Sequence, residues 1–96
     1  MKSILQDGPT KCFLCNRTDR PLDRHHVFGA SNRKNSEKYG LTVWLCHNEC
    51  HINGKNSVHM NRIVDIELKQ VAQATAMDHY GWTTEDWIRL FGRNYL

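Results

Sequence analysis

Trp44-Leu45-Cys46-His47-Asn48-Glu49-Cys50-His51 joins the end of an apolar run, two thiols and two imidazoles within eight residues. The preceding Leu41-Thr42-Val43-Trp44-Leu45 is β-branched and aromatic, which predicts a strand. Three residues separate Cys46 from Cys50, two separate Cys12 from Cys15, and thirty lie between the pairs. Each pair sits where a tight turn is expected, so four thiolates can converge on one tetrahedral zinc, each sulfur about 2.3 Å from it. Such an ion contributes folding energy that a small core lacks. Two disulfides or free buried thiols are the alternatives, and His47 is a competing ligand.

The chain has 96 residues, enough for one domain, 1–96. The N-terminal residues turn polar before a long apolar run can form, so no signal peptide is expected, and no window approaches a membrane span. A cytoplasmic setting, in a bacterial or phage-infected cell, is the expectation. It would keep the thiols reduced and favour metal over disulfide. The net charge of +3 is uneven. Residues 1–60 carry nine Lys/Arg against five Asp/Glu, and residues 61–96 carry four against five. The first part therefore leans towards an anionic partner, and the second reads as scaffold.

Residues 9–20 read as a tight turn between two thiols, and residues 21–28 as a strand ending at Gly29. Residues 30–40 hold Ser, Asn, Arg, Lys and Gly with little apolar content and are predicted to be a loop, long enough to be functional. Helical character starts at residues 46–51 and is interrupted by Asn53-Gly54-Lys55-Asn56. From Ser57, Met60, Ile63, Val64, Leu68, Val71 and Ala72 fall on one helical face, ending near Gly81. Thr83 or Thr84 then caps a short helix with Trp87, Ile88, Leu90 and Phe91 as its apolar residues, ending at Gly92. The order is knuckle, strand, loop, strand, helix, helix, an α+β chain.

Six histidines need an explanation in a chain this short. His25 and His26 are neighbours on a strand, where successive side chains face opposite ways. Two such rings rarely bind one ion together, so a division between metal ligand and base fits better. His51 follows Cys50 directly, and zinc closure would bring it against the His25/His26 strand. His59 lies beyond the turn, at the predicted start of the long helix. His47 and His79 read as surface residues.

Cys-x2-Cys, Asp23-Arg24-His25-His26-Val27-Phe28 and Trp44 through His51 resemble the HNH endonucleases of the ββα-metal superfamily, especially small phage and prophage forms with a zinc knuckle. The likeness covers residues 12–59, leaving 60–96 as a helical part over the core. It implies a ββα-metal core stapled by zinc on Cys12, Cys15, Cys46 and Cys50. It also implies His25, His51 and His59 as ligands of a catalytic divalent ion, with His26 as general base. The predicted reaction is hydrolysis of a DNA phosphodiester to 5′-phosphate and 3′-hydroxyl ends. His26 would be oriented by a backbone carbonyl through its other ring nitrogen. Three imidazoles suit Mn²⁺, Ni²⁺, Co²⁺ or Zn²⁺ better than Mg²⁺, although supply in the cell can make Mg²⁺ the working ion. Arg24, Arg33, Lys34, Lys38 and Lys55 flank the site and would hold the DNA backbone without reading sequence. The family's middle Asn has no counterpart in residues 40–44, and Asn32 and Asn35 are the candidates to replace it.

Two other readings compete. A zinc-stabilised nucleic-acid-binding module without catalysis needs the knuckle and the basic residues but not the histidines. An adaptor protein would expose Trp82, Trp87 and Tyr95 for a partner, whereas a core role would bury them.

Overall fold

Leu22–His26 (β1) pairs antiparallel with Thr42–Cys46 (β2) in the computed structural model, which describes residues 1–96. The chain continues through one π-helical turn, His47–Ile52, to a long helix, Arg62–Tyr80 (α2), and a short one, Thr84–Phe91 (α3). This is a small α+β fold with a two-stranded sheet. The register sets His25 opposite Val43 and Asp23 opposite Leu45. Strand alternation therefore sends Asp23 and His25 to one face and Arg24 and His26 to the other.

The segment between the strands departs from the predicted loop. Ala30–Asn32 forms a 3-10 turn that runs into a helix, Arg33–Tyr39 (α1). Its inward groups are polar, so no apolar period announces it. Ser36 is fully buried; its hydroxyl donates to the Phe28 carbonyl at 2.7 Å and accepts from the Phe28 N–H at 3.0 Å. Asn32 and Asn35 donate to the Phe91 and Leu90 carbonyls, at 2.8 and 2.7 Å. Those carbonyls end α3, where no intrahelical donor remains. The two asparagines thus tie α1 to α3, and Ser36 is the residue that ties α1 to the end of β1. Gly40 closes α1 at φ 74°, and a Cβ there would lie 2.6 Å from the Lys2 carbonyl oxygen.

The long helix begins later than the apolar pattern suggests. Asn61 caps it, its side-chain oxygen accepting from the Ile63 and Val64 N–H groups. The buried stripe is Leu68, Ala72, Gln73 and Ala76, whereas Met60 and Ile63 are 65% and 70% exposed and Val71 is also exposed. The turn geometry explains this: Ile63 lies nine residues, about two and a half turns, from Ala72 and so on the opposite side. Gly81 ends α2 in the left-handed conformation, and Thr83 caps α3 in a reciprocal box with Asp86.

Phe28, Leu41, Val43, Leu45, Trp87 and Phe91 form the centre of the core, with Trp87 and Phe91 stacked at 4.1 Å. Trp87 is fully buried, and Trp82 and Tyr95 pack against the same cluster, which disfavours an exposed aromatic docking face. Ile88, by contrast, is exposed. Gln73 anchors the C-terminal tail, donating to the Asn94 side chain and accepting from the Tyr95 N–H, each at 2.8 Å. No helix is long and apolar enough to cross a membrane.

Candidate functional site

Cys12, Cys15, Cys46 and Cys50 converge, and their Sγ atoms all lie within 4.8 Å of one another. The first pair sits on a turn closed by hydrogen bonds from Asn16 N–H to Cys12 O and from Cys12 N–H to Arg17 O, both 2.9 Å. Asn16 takes the left-handed conformation that short polar residues tolerate. This turn is pinned to β2 by the Phe13 N–H bonding to the Trp44 carbonyl at 2.8 Å. Cys15 Sγ and Cys46 Sγ are 3.7 Å apart. Two sulfurs on one tetrahedral zinc would be about 3.8 Å apart, given metal–sulfur bonds near 2.3 Å. The thiols are unbridged and could hold a metal ion such as zinc. Burial raises every buried thiol here. At Cys12 the N–H groups of Cys15, Cys46 and Leu14 outweigh it and bring the thiol down to about 7. Burial and crowding by the other sulfurs push Cys50 far up, a repulsion that a cation would relieve.

The π-helical turn carries the thiols into the second cluster. Cys46 precedes it and Cys50 and His51 lie within it, so the geometry of one site fixes the other. Gly54 makes the tight exit possible: a Cβ there would fall 2.0 Å from the Glu49 carbonyl oxygen. His25, His51 and His59 meet, with a ring nitrogen from each lying within 4.8 Å of the other two. His59 lies in the turn ahead of α2 rather than on it, held by its N–H bonding to the His51 carbonyl at 3.3 Å. Asn61, an alternative to His59 by position, is occupied in capping the helix.

His25 is only 9% exposed, and its Nε2 is buried without a hydrogen-bond partner. Buried polar atoms are nearly always partnered, so an unpaired imidazole nitrogen on a ring grouped with two other imidazoles is compatible with a bound cation. Burial, followed by the neighbouring His51 and His59, pushes His25 down to about 3, leaving it neutral and able to donate a lone pair. Asp23, on the same strand face, accepts from His51 Nδ1 at 2.9 Å and from His47 Nδ1 at 2.6 Å. The first of these bonds leaves His51 Nε2 free to face an ion, as in carboxylate–histidine–metal arrangements. These contacts hold the Asp23 carboxyl below its ordinary range. His47 is the exposed end of the chain of contacts, and its side chain points to Asp23 rather than to the thiols.

The other face of β1 meets α1. His26 Nε2 lies 2.8 Å from Glu37 Oε2, and Arg24 grips both oxygens of the same carboxylate at 2.8 and 2.9 Å. The partner of His26 is thus a carboxylate, not the backbone carbonyl the sequence suggested. Arg24, first, and His26 hold Glu37 down to about 2, so the carboxylate is ionised and only accepts. It follows that Nε2 of His26 carries the proton of this bond, which leaves Nδ1 as the ring nitrogen not engaged by Glu37.

Both strand faces reach one open cavity of about 470 Å³, lined by residues including His25, His26, His51, His59, Arg24 and Arg33. No family model matches the chain, and neither does any curated protein or solved structure. The case for function therefore rests on the cavity itself. Of the five basic residues expected near DNA, Arg24 and Arg33 line it, but Arg24 is engaged by Glu37. Lys34, Lys38 and Lys55 are exposed and lie outside the lining. Sequence reasoning missed Asp23, Glu37 and Ser36. Asp23 opens the quoted Asp23–Phe28 motif but was given no role there, and Glu37 and Ser36 lay in the presumed loop. Strand alternation around His25 pointed to Asp23, two residues before it.

Proposed function

We propose that this chain is a metal-dependent endonuclease of the HNH, ββα-metal type that hydrolyses DNA phosphodiester bonds. The observation that carries the proposal is the unpaired, buried Nε2 of His25, whose ring is grouped with those of His51 and His59 in the cavity that also holds His26. An all-imidazole set fits Mn²⁺, Co²⁺, Ni²⁺ or Zn²⁺, while the four thiols fit a separate structural zinc.

Each residue has a task that follows from its contacts. His25, His51 and His59 would hold the catalytic ion, and Asp23 would keep the His51 ring turned towards it. That ion would supply positive charge to the scissile phosphate and the departing 3′ oxygen. His26, as the neutral ring with its proton on Nε2, would use Nδ1 to take a proton from the attacking water. Glu37 stabilises the imidazolium that results, and Arg24 keeps Glu37 ionised and fixed. This is the logic of a base oriented by a buttressed carboxylate. Arg33, exposed at the cavity, would meet the DNA backbone.

Metal analysis of the purified protein, joined to nicking of supercoiled plasmid, tests the reading. One tightly bound zinc per chain and nicking that depends on added Mn²⁺ are expected. Absence of cleavage with Mn²⁺, Co²⁺, Ni²⁺, Zn²⁺ or Mg²⁺, with DNA binding retained, would make the chain a zinc-stabilised binding module instead.

A further inference from the structure

Two charged residues of α2, Asp65 and Lys69, enter the wall of the same cavity beside His25, His26 and Arg33. They are one helical turn apart and so share a face, with Lys69 Nζ 2.9 Å from Asp65 Oδ2. The side chains of Lys69 and Asp65 are only 21% and 25% exposed, low for an ion pair on a helix surface. Nζ also lies over the Tyr95 ring at 5.6 Å, and that residue is fixed by Gln73 and Gln70 through its backbone. The ammonium has three donors, and Asp65 is its one ionic partner. Arg24, the other half-buried cation of the cavity, is neutralised by Glu37 through two hydrogen bonds. An anion entering the cavity therefore meets Lys69 and the exposed Arg33 as its available cations.

We propose that Lys69 is a phosphate ligand of the active cavity, its ammonium holding a non-bridging oxygen of the scissile DNA phosphodiester, with Asp65 keeping it in place until DNA arrives. This rests on the nuclease reading above and extends it to α2, a helix the sequence motifs leave as scaffold. The role is electrostatic: Lys69 would offset charge that grows on the phosphoryl oxygens during in-line attack, while His26 handles the proton. Asp65 competes with the phosphate oxygen for the same donor, so the two residues act on DNA binding with opposite signs. A purely structural ion pair would act with one sign, because breaking it from either side costs the same contact.

The test uses the zinc-loaded full chain with Mn²⁺. Wild type and the Lys69 and Asp65 variants are compared in plasmid nicking, and binding of a short duplex is measured by fluorescence anisotropy in a His26→Ala background that does not cleave. Lys69→Gln is expected to weaken duplex binding about tenfold at any sequence, lower the salt slope by about one, and slow nicking. Asp65→Asn is expected to tighten binding by about threefold, since it frees Lys69 from one competing carboxylate. Lys69→Arg, which keeps the charge, is expected to stay within about threefold of the parent in binding, and it serves if Lys69→Gln does not fold. Wild type that nicks while Lys69→Gln and Asp65→Asn both leave binding unchanged, or both weaken it in step with their melting temperatures, would overturn the role of Lys69 and leave the nuclease standing. Wild type that fails to nick with Mn²⁺, Co²⁺, Ni²⁺, Zn²⁺ or Mg²⁺ would remove the nuclease reading, and the role of Lys69 with it.

Discussion

Replacing His25 by Leu should make the protein more stable when only the thiol site is loaded, and less stable than wild type once a second ion is supplied. His25 is nearly buried and its Nε2 has no partner. An unsatisfied buried polar group costs about 1–3 kcal/mol. Leucine removes that group and suits a strand position facing Val43. A net gain of about 1–2 kcal/mol is expected, which corresponds to roughly 5–15 °C in melting temperature for a chain of this length. The second ion reverses the order, because at a hundredfold excess over its dissociation constant it adds about 2.7 kcal/mol to wild type and nothing to the variant. Thermal melts by circular dichroism, on protein carrying one zinc per chain, with and without Mn²⁺, measure both limbs. A variant less stable than wild type without Mn²⁺, or one that Mn²⁺ stabilises as much as wild type, would refute the reasoning. The same substitution reports on pH. His25 has its folded pKa depressed to about 3, below the ordinary 6.5. Its share of stability is therefore complete above about pH 6.5 and is lost as pH falls towards 3, by up to about 1.4 kcal/mol per pH unit. His25→Leu should flatten this part of the acid limb in the absence of the second ion.

Further outcomes follow from the neighbouring contacts. Glu37→Gln leaves the metal ligands untouched and removes the negative charge beside His26, so nicking should fall by about 10–100-fold with Mn²⁺ affinity unchanged. Asp23→Ala should have the converse signature, weakening the second ion about 10–100-fold in a Co²⁺ absorption titration while the zinc content stays at one. Cys50→Ser should abolish stoichiometric zinc and lose nicking that added Mn²⁺ does not restore, because His51 hangs on the same turn. Gly54→Ala brings a Cβ against the Glu49 backbone, and a loss of about 2–3 kcal/mol, or roughly 10 °C or more, is expected in a thermal melt.

The residues that announce themselves by type were legible, and those that act through polar contacts were not. Cys12, Cys15, Cys46 and Cys50 stand out by spacing, whereas His25, His51 and His59 were named as a set by the resemblance to HNH nucleases; the four thiols and the three imidazoles lie in two close groups. Gly81 and Gly92 end their helices where glycine suits the backbone. The helix α1 was invisible because its buried contacts are made by Ser36, Asn32 and Asn35, which read as loop residues when apolar periodicity is the signal. With that helix hidden, Glu37 had no reason to face His26, and a backbone carbonyl was the natural guess. On α2 the apolar residues spread around the helix, and its alanines rather than Ile63 and Val71 meet the core. Lys69 escaped notice because a lysine in an amphipathic helix usually faces solvent; only the placement of α2 along the cavity makes it a candidate.

The central claim is that one cavity divides its labour, His25, His51 and His59 holding an ion and His26 moving a proton. It is tested most directly by measuring Mn²⁺ affinity and plasmid-nicking rate on the same preparation of His26→Ala. The account predicts an affinity within about threefold of wild type and a rate reduced by at least about 100-fold, the scale of general-base catalysis. Nicking by His26→Ala at the wild-type rate would contradict it.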